Sequence, residues 1–133
     1  LRYKNFDVNG FEPFEKFDII RTISPLCLSD KGRSLTFKDD NFIEVLTEKS
    51  RKKLMHNGLS ERVANTLSFS LFHPENAKTK MIEIGKQKNI CSQIMLYVKG
   101  NKKARVMLYE MGLGKCTGFG FGAVTIIRNK SLI

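Results

Sequence analysis

The sequence predicts an α+β domain of ferredoxin-like order, βαββαβ, with an antiparallel sheet and its helices on one face. Three observations predict it. Apolar residues recur at helical spacing in two stretches, strand-like runs flank each stretch, and a basic turn joins two of those runs as a hairpin. A chain of 133 residues suffices for one domain with a real core and is too short for two.

Residues 1–16, with Asn9-Gly10, Pro13 and scattered aromatics, read as an arm or as the remnant of a preceding domain, and the ferredoxin-like unit takes 17–133. The run Phe17 to Leu28 is rich in β-branched residues and forms the first strand, with Pro25 marking an edge position or a bend. Residues 29–38 read as loop. Asp39-Asp40-Asn41 caps a helix that runs to about Met55 and stops at Asn57-Gly58, with Phe42, Ile43, Leu46 and Leu54 as its apolar stripe. Glu44 and Glu48 early, and Arg51, Lys52 and Lys53 late, suit the helix dipole.

Residues 60–72 fit either a short helix capped by Ser60 or an extended segment from Thr66 to Phe72, an insert in either case. After His73-Pro74, the runs Lys80 to Lys86 and Cys91 to Lys99 form the central hairpin around Lys86-Gln87-Lys88-Asn89. Gly100-Asn101 opens a second helix whose Ala104, Met107, Leu108 and Met111 face the core, and Gly112 ends it. A glycine-rich stretch follows, and Phe119 to Ile127 supplies the last strand.

Hydrophobic residues at 41% and charged residues at 27% exclude a disordered or fibrous chain. No apolar run approaches the roughly 18 residues that cross a bilayer, and Leu1-Arg2-Tyr3-Lys4 opens no signal-peptide core. A soluble protein without a membrane partner is expected. The chain starts at Leu1 and not at Met, which reads as a fragment or a processed product.

The net charge of +10 calls for a polyanion, and its distribution says more. Residues 1–76 carry 12 basic and 11 acidic side chains, whereas residues 77–133 carry 11 basic ones against Glu83 and Glu110 alone. Such asymmetry is the footprint of a phosphate-binding surface, since each neutralised phosphate releases counterions. A solvated basic surface that serves solubility is the plainer reading. Cys27, Cys91 and Cys116 lie far apart with no zinc-ligand spacing, so neither a metal site nor a disulfide framework is expected, and a reducing cytoplasm fits. Cys27 reads as a small buried hydrophobe.

The segment Gly112-Leu113-Gly114-Lys115-Cys116-Thr117-Gly118-Phe119-Gly120-Phe121-Gly122 holds five of the chain's ten glycines. A dinucleotide fingerprint needs a strand before and a helix after, the reverse of the order here. A Walker A loop needs Ser or Thr where Cys116 stands and Gly where Tyr109 stands. Five glycines supply backbone with positive φ and room for close approach; exposed N–H groups there make an anion-sized concavity beside Lys115. A crowded connection that needs glycine for sterics alone is the other reading.

This motif, with Ala123-Val124 after it, resembles the C-terminal glycine-rich signature of the CRISPR-associated endoribonucleases that cut repeat-containing precursor RNA into guide RNAs. Ile23-Ser24-Pro25-Leu26 is similar to that family's Ser-Pro strand and Phe42 to Lys53 to the helix after it, so the resemblance spans roughly Phe17 to Ile127. It implies the second of two tandem ferredoxin-like domains, with CRISPR repeat RNA as partner, alongside a missing N-terminal domain and effector subunits. It implies metal-independent, cofactor-free cleavage in which the RNA's 2′-OH attacks the adjacent phosphorus, a general base takes its proton, and cationic groups stabilise the phosphorane. In many members a His of the first domain is that base, and no residue here matches it, so the catalytic residues are not assigned and the fragment alone is expected to be inactive. A non-catalytic RNA-holding subunit of an effector complex is the alternative, and a phosphate-binding domain outside this system a third.

His56 reads as a C-terminal helix cap and His73 as an ordinary loop residue. The candidate RNA-binding residues are Gly112, Gly114, Lys115, Gly118, Gly120 and Gly122 of the loop, Lys102, Lys103 and Arg105 at the start of the second helix, and Lys86 and Lys88 of the hairpin. Positive charge at a helix start opposes its dipole, and a docked anion removes that penalty. Lys99, Arg128 and Lys130 would extend the surface. Tyr97 and Tyr109 read as core residues, with stacking on bases as the other reading.

Overall fold

The computed structural model describes residues 17–128; the expected arm 1–16 and Lys130 lie outside them. Eight strands and three α-helices follow in chain order: β1 (Phe17–Thr22), β2 (Leu28–Asp30), β3 (Arg33–Leu35), α1 (Phe42–His56), α2 (Glu61–Ala64), β4 (Ser68–Phe72), β5 (Lys78–Ile84), β6 (Gln87–Gln93), β7 (Met95–Lys99), α3 (Lys102–Met111) and β8 (Val124–Arg128). The main sheet has the order β4-β7-β1-β8 with every neighbour antiparallel. With α1 between β1 and β4, and α3 between β7 and β8, this is the ferredoxin-like arrangement. Two small hairpins, β2-β3 and β5-β6, are additions to it.

Period-2 burial in the sheet makes one face the core: Ile20, Leu96, Val98 and Phe69 are buried on it against Phe42, Leu46 and Leu54 of α1 and Ala104 and Leu108 of α3. The buried stripe of α1 is Phe42, Val45, Leu46, Ser50 and Leu54; Val45 replaces the expected Ile43, which is only half-buried. Asn41 does not cap with its side chain. Instead Asp39 accepts the Thr36 N–H, and its carbonyl receives the Phe42 N–H. The stop works as expected: Gly58 at φ +101° donates to Met55 O while Leu59 donates to Leu54 O, a Schellman motif with Leu54 and Leu59 both buried.

Five elements differ from expectation. Residues 29–38, expected as loop, contain the β2-β3 hairpin, and the last strand begins at Val124 and not at Phe119, which lies in a 3-10 turn. The first strand ends at Thr22, because Ile23 and Ser24 both turn their N–H groups to Ala123 O and Pro25 has none to donate. Residues 60–72 adopt both alternatives in succession, a single turn of helix capped by Ser60 and then β4, which is a strand of the main sheet. The basic hairpin is therefore not central. β5 and β6 turn at Gly85-Lys86 and stand apart as a two-stranded excursion, and the run Cys91 to Lys99 is two strands broken at Ile94. β5 is largely exposed and buries no residue fully, so it offers no core face to a sheet interior, whereas β7 buries Leu96 and Val98.

Cys27 and Cys91 are joined by a disulfide, with Cα atoms 4.6 Å apart and both side chains fully buried. This corrects the reading of Cys27 as an unpaired hydrophobe and removes the cysteine argument for a reducing compartment. Among the described residues no helix is long and apolar enough to cross a membrane.

Candidate functional site

The glycine-rich loop leaves α3 at Gly112 and reaches β8 after Ala123, and the segment Ile23–Cys27 serves as the rail on which it lies. Backbone and side-chain hydrogen bonds fasten it. Lys115 N–H donates to Cys27 O at 2.7 Å, Gly122 N–H to Pro25 O at 2.8 Å, and Ile23 N–H to Ala123 O at 2.7 Å. The Ser24 hydroxyl donates to Gly120 O at 2.6 Å and accepts the Ala123 N–H at 3.0 Å. Leu113 N–H to Gly122 O, 3.0 Å, closes the loop at its neck. A Ser-Pro pair suits this rail physically: the hydroxyl satisfies a donor and an acceptor at once, and proline leaves a carbonyl free while offering no competing N–H.

Lys53 of α1 supports the loop from beneath, its ammonium donating to Gly112 O and Gly114 O, each at 3.0 Å. Burial lowers its pKa below the ordinary lysine value. Gly114 and Gly122 are glycine because a Cβ would overlap the carbonyl oxygens of Cys27 and Leu113, and both have positive φ. For these two the crowded-connection reading holds, and the N–H groups of Leu113, Lys115 and Gly122 point at protein carbonyls, so they form no anion cradle. The outward part is the apex, a 3-10 turn at Thr117–Phe119 entered through Cys116 in the left-handed region. Gly118, Phe119 and Gly120 are exposed there, and Lys115, Cys116 and Thr117 are half-buried beside them.

The other cations do not converge on the loop. Lys102 and Lys103 are exposed at the start of α3, whose ten residues put them about 15 Å from Gly112. Exposed Lys99 ends β7 at that same far end of the sheet. Lys86 and Lys88 are exposed near the tip of the β5-β6 hairpin, about 17 and 10 Å along the strand from Cys91, which the disulfide holds beside the rail. Arg105 leaves the surface altogether. It is 5% exposed, its guanidinium meets the Asp18 carboxylate at 2.8 Å, and its Nε donates to Gly100 O. Tyr109 donates to the same Asp18 oxygen at 2.6 Å, and burial, with that carboxylate second, raises its pKa far above the phenol range. Arg105 and Tyr109 are thus packing residues. The sequence reading grouped Arg105 with Lys102 and Lys103 as RNA-binding cations; the buried acid on β1 that draws it inward is visible only once β1 and α3 are side by side.

His56 is exposed at the last turn of α1, and His73 is exposed with Nδ1 2.8 Å from Glu75 Oε2, whose carboxyl it holds below the usual range. Tyr97 sits between Phe17 and Phe72 in edge-on contacts at 5.4 and 4.9 Å. Sequence reasoning passed over Lys53 and Ser24 as loop supports; the only available signal was the late basic cluster of α1 and the Ser-Pro pair.

A family profile described as "CRISPR associated protein Cas6, C-terminal" matches residues 10–126. A solved structure titled "CRISPR associated protein Cas6" superposes with TM-score 0.69 at 24% identity, over 89% of this chain and 52% of that one. "An RAMP protein binding different RNA substrates" gives 0.71 at 19% identity, over 88% and 51%. A Cas6-related protein from Pyrococcus furiosus gives 0.69 at 21% identity, over 88% and 50%. At these identities the likeness is one of fold. The chain spans about half the length of these solved chains. A search of curated protein sequences returns no match.

Proposed function

The chain belongs to the CRISPR-associated Cas6 family, in its C-terminal portion, and from that premise we propose that it is the RNA-binding half of an endoribonuclease that cuts CRISPR repeat RNA. The observation that carries this reading is the glycine-rich loop clamped on the Ser24-Pro25 rail with only its apex turned outward. A loop so fixed presents Lys115 and the Thr117–Phe119 turn in one conformation before any ligand arrives, which reduces the ordering cost of binding. The cationic excess of residues 77–133 supplies the long-range attraction for a phosphate chain.

The cleavage chemistry is in-line attack by the 2′-OH on the neighbouring phosphorus, without metal, leaving a 2′,3′-cyclic phosphate and a 5′-OH. In this reading the present chain holds the strand, and the general base belongs to the other half that relatives of twice this length carry. His73 pairs with Glu75, and His56 ends α1, exposed, one turn beyond Lys53. Two measurements test it. The 133-residue chain should retain repeat RNA at low salt and leave it uncut. A polypeptide joining it to a second half should cut the same RNA in the presence of EDTA. Binding without cleavage in both forms would turn the reading to an RNA-holding subunit, and loss of binding at low salt would overturn it.

A further inference from the structure

We infer that the loop apex holds one unpaired RNA base on the ring of Phe119, with the adjoining ribose-phosphate lying against Gly118; this rests on the RNA-binding reading and deepens it. The argument starts from which glycines the fold requires. Gly112 has φ +86° and a Cβ there would crowd the Thr117 side chain, Gly114 and Gly122 would overlap carbonyl oxygens, and Gly120 stands at φ +93°. Gly118 alone among the five has neither reason: its φ is outside the left-handed region, and a Cβ built on it meets no atom within 4 Å. Within a 3-10 turn glycine is also less stable than alanine, so the fold gains nothing from it. Space left empty on the outer side of a clamped turn admits close approach from outside.

The next residue states what approaches. Phe119 is 76% exposed, more than any other large apolar side chain among the described residues. An aromatic face in water is a platform for another flat ring, and base stacking does not depend on which base it is. The surroundings favour a polyanion as the owner of that ring: Lys115 is in the same loop, and no Asp or Glu follows Glu110 in the sequence. A nucleotide uses all three features, base on Phe119, sugar-phosphate on Gly118, charge near Lys115. A protein partner would use the phenyl ring and has no call on the rest.

The test is equilibrium binding of short single-stranded RNA to the whole chain, using a 2-aminopurine-labelled strand and an abasic strand of equal length. Wild-type protein should quench 2-aminopurine on binding and prefer the base-bearing strand. Phe119→Ala should weaken binding of that strand about tenfold, abolish the quenching, and leave abasic binding and the salt slope unchanged; Phe119→Tyr should restore both. Gly118→Ala should leave the melting temperature unchanged or slightly raised while weakening both strands. Failure of the wild-type chain to bind either strand overturns the RNA reading and this inference together. RNA binding that Phe119→Ala and Gly118→Ala leave untouched overturns this inference alone and assigns Phe119 to a protein contact.

Discussion

Ser24, Lys53 and the two crowded glycines carry more of the loop's shape than its cation does. The Ser24 hydroxyl serves Gly120 O and the Ala123 N–H together, so Ser24→Ala removes both bonds and should lower stability by about 1–2 kcal/mol in denaturant titration. Gly122→Ala combines positive φ with overlap on Leu113 O and should cost about 2 kcal/mol or more, in contrast to Gly118→Ala on the same loop. Lys53 gives a pH signature. Because burial lowers its pKa in the folded state, the unfolded chain binds more protons in the alkaline window just below the ordinary lysine value, and stability contributed by this group rises with pH there. Lys53→Met should remove that rise, read as the difference between the two stability profiles. Tyr109 acts with the opposite sign above the ordinary phenol value, since the folded state keeps its proton longer.

At the level of elements, α3 is tied to the sheet by one buried ionic cluster, and the hairpin to the rail by a disulfide beside the paired Leu26–Ser92 backbone hydrogen bonds. Asp18 on β1 receives both Arg105 and Tyr109 from α3. Removing the guanidinium with Arg105→Ala would strand a buried carboxylate, so the expected loss is about 3–5 kcal/mol in stability, measured by chemical denaturation, and any drop in RNA affinity should vanish under conditions that keep the variant folded. The disulfide links residues 64 apart in sequence, and constraint of the unfolded chain alone assigns it about 4 kcal/mol. Reductant should lower the melting temperature of the native chain and leave a Cys27→Ala/Cys91→Ala variant unaffected. Melting that ignores reductant would count against this pairing.

Across the whole molecule, the cations are spread along it and do not gather at one point. The loop adjoins the Thr22 end of β1, and Lys99, Lys102 and Lys103 lie at the opposite end of the sheet, about 17 Å away over five strand residues. A strand anchored at the loop therefore reaches those lysines only when it is long enough to cross the sheet. Replacing Lys102 and Lys103 with alanine should flatten the salt dependence of repeat-length RNA by about 1.4 in log-log slope and leave that of a dinucleotide unchanged. Equal slopes for the long RNA would remove these two residues from the interface.

The sequence by itself determined the βαββαβ order, the two helices with their stops at Gly58 and Gly112, the cationic excess of the second half, and the glycine segment as the place to look. These follow from periodicity, turn chemistry and composition, which act over a few residues. Tertiary structure decided the rest: that Thr66 to Phe72 supplies β4 while the basic hairpin stands aside, that Cys27 finds Cys91, that Arg105 turns inward to Asp18, and that Gly118 is the one loop glycine the fold does not need. Each depends on a partner dozens of residues away or on the space around a built backbone, and no local pattern encodes what a neighbouring strand will place there.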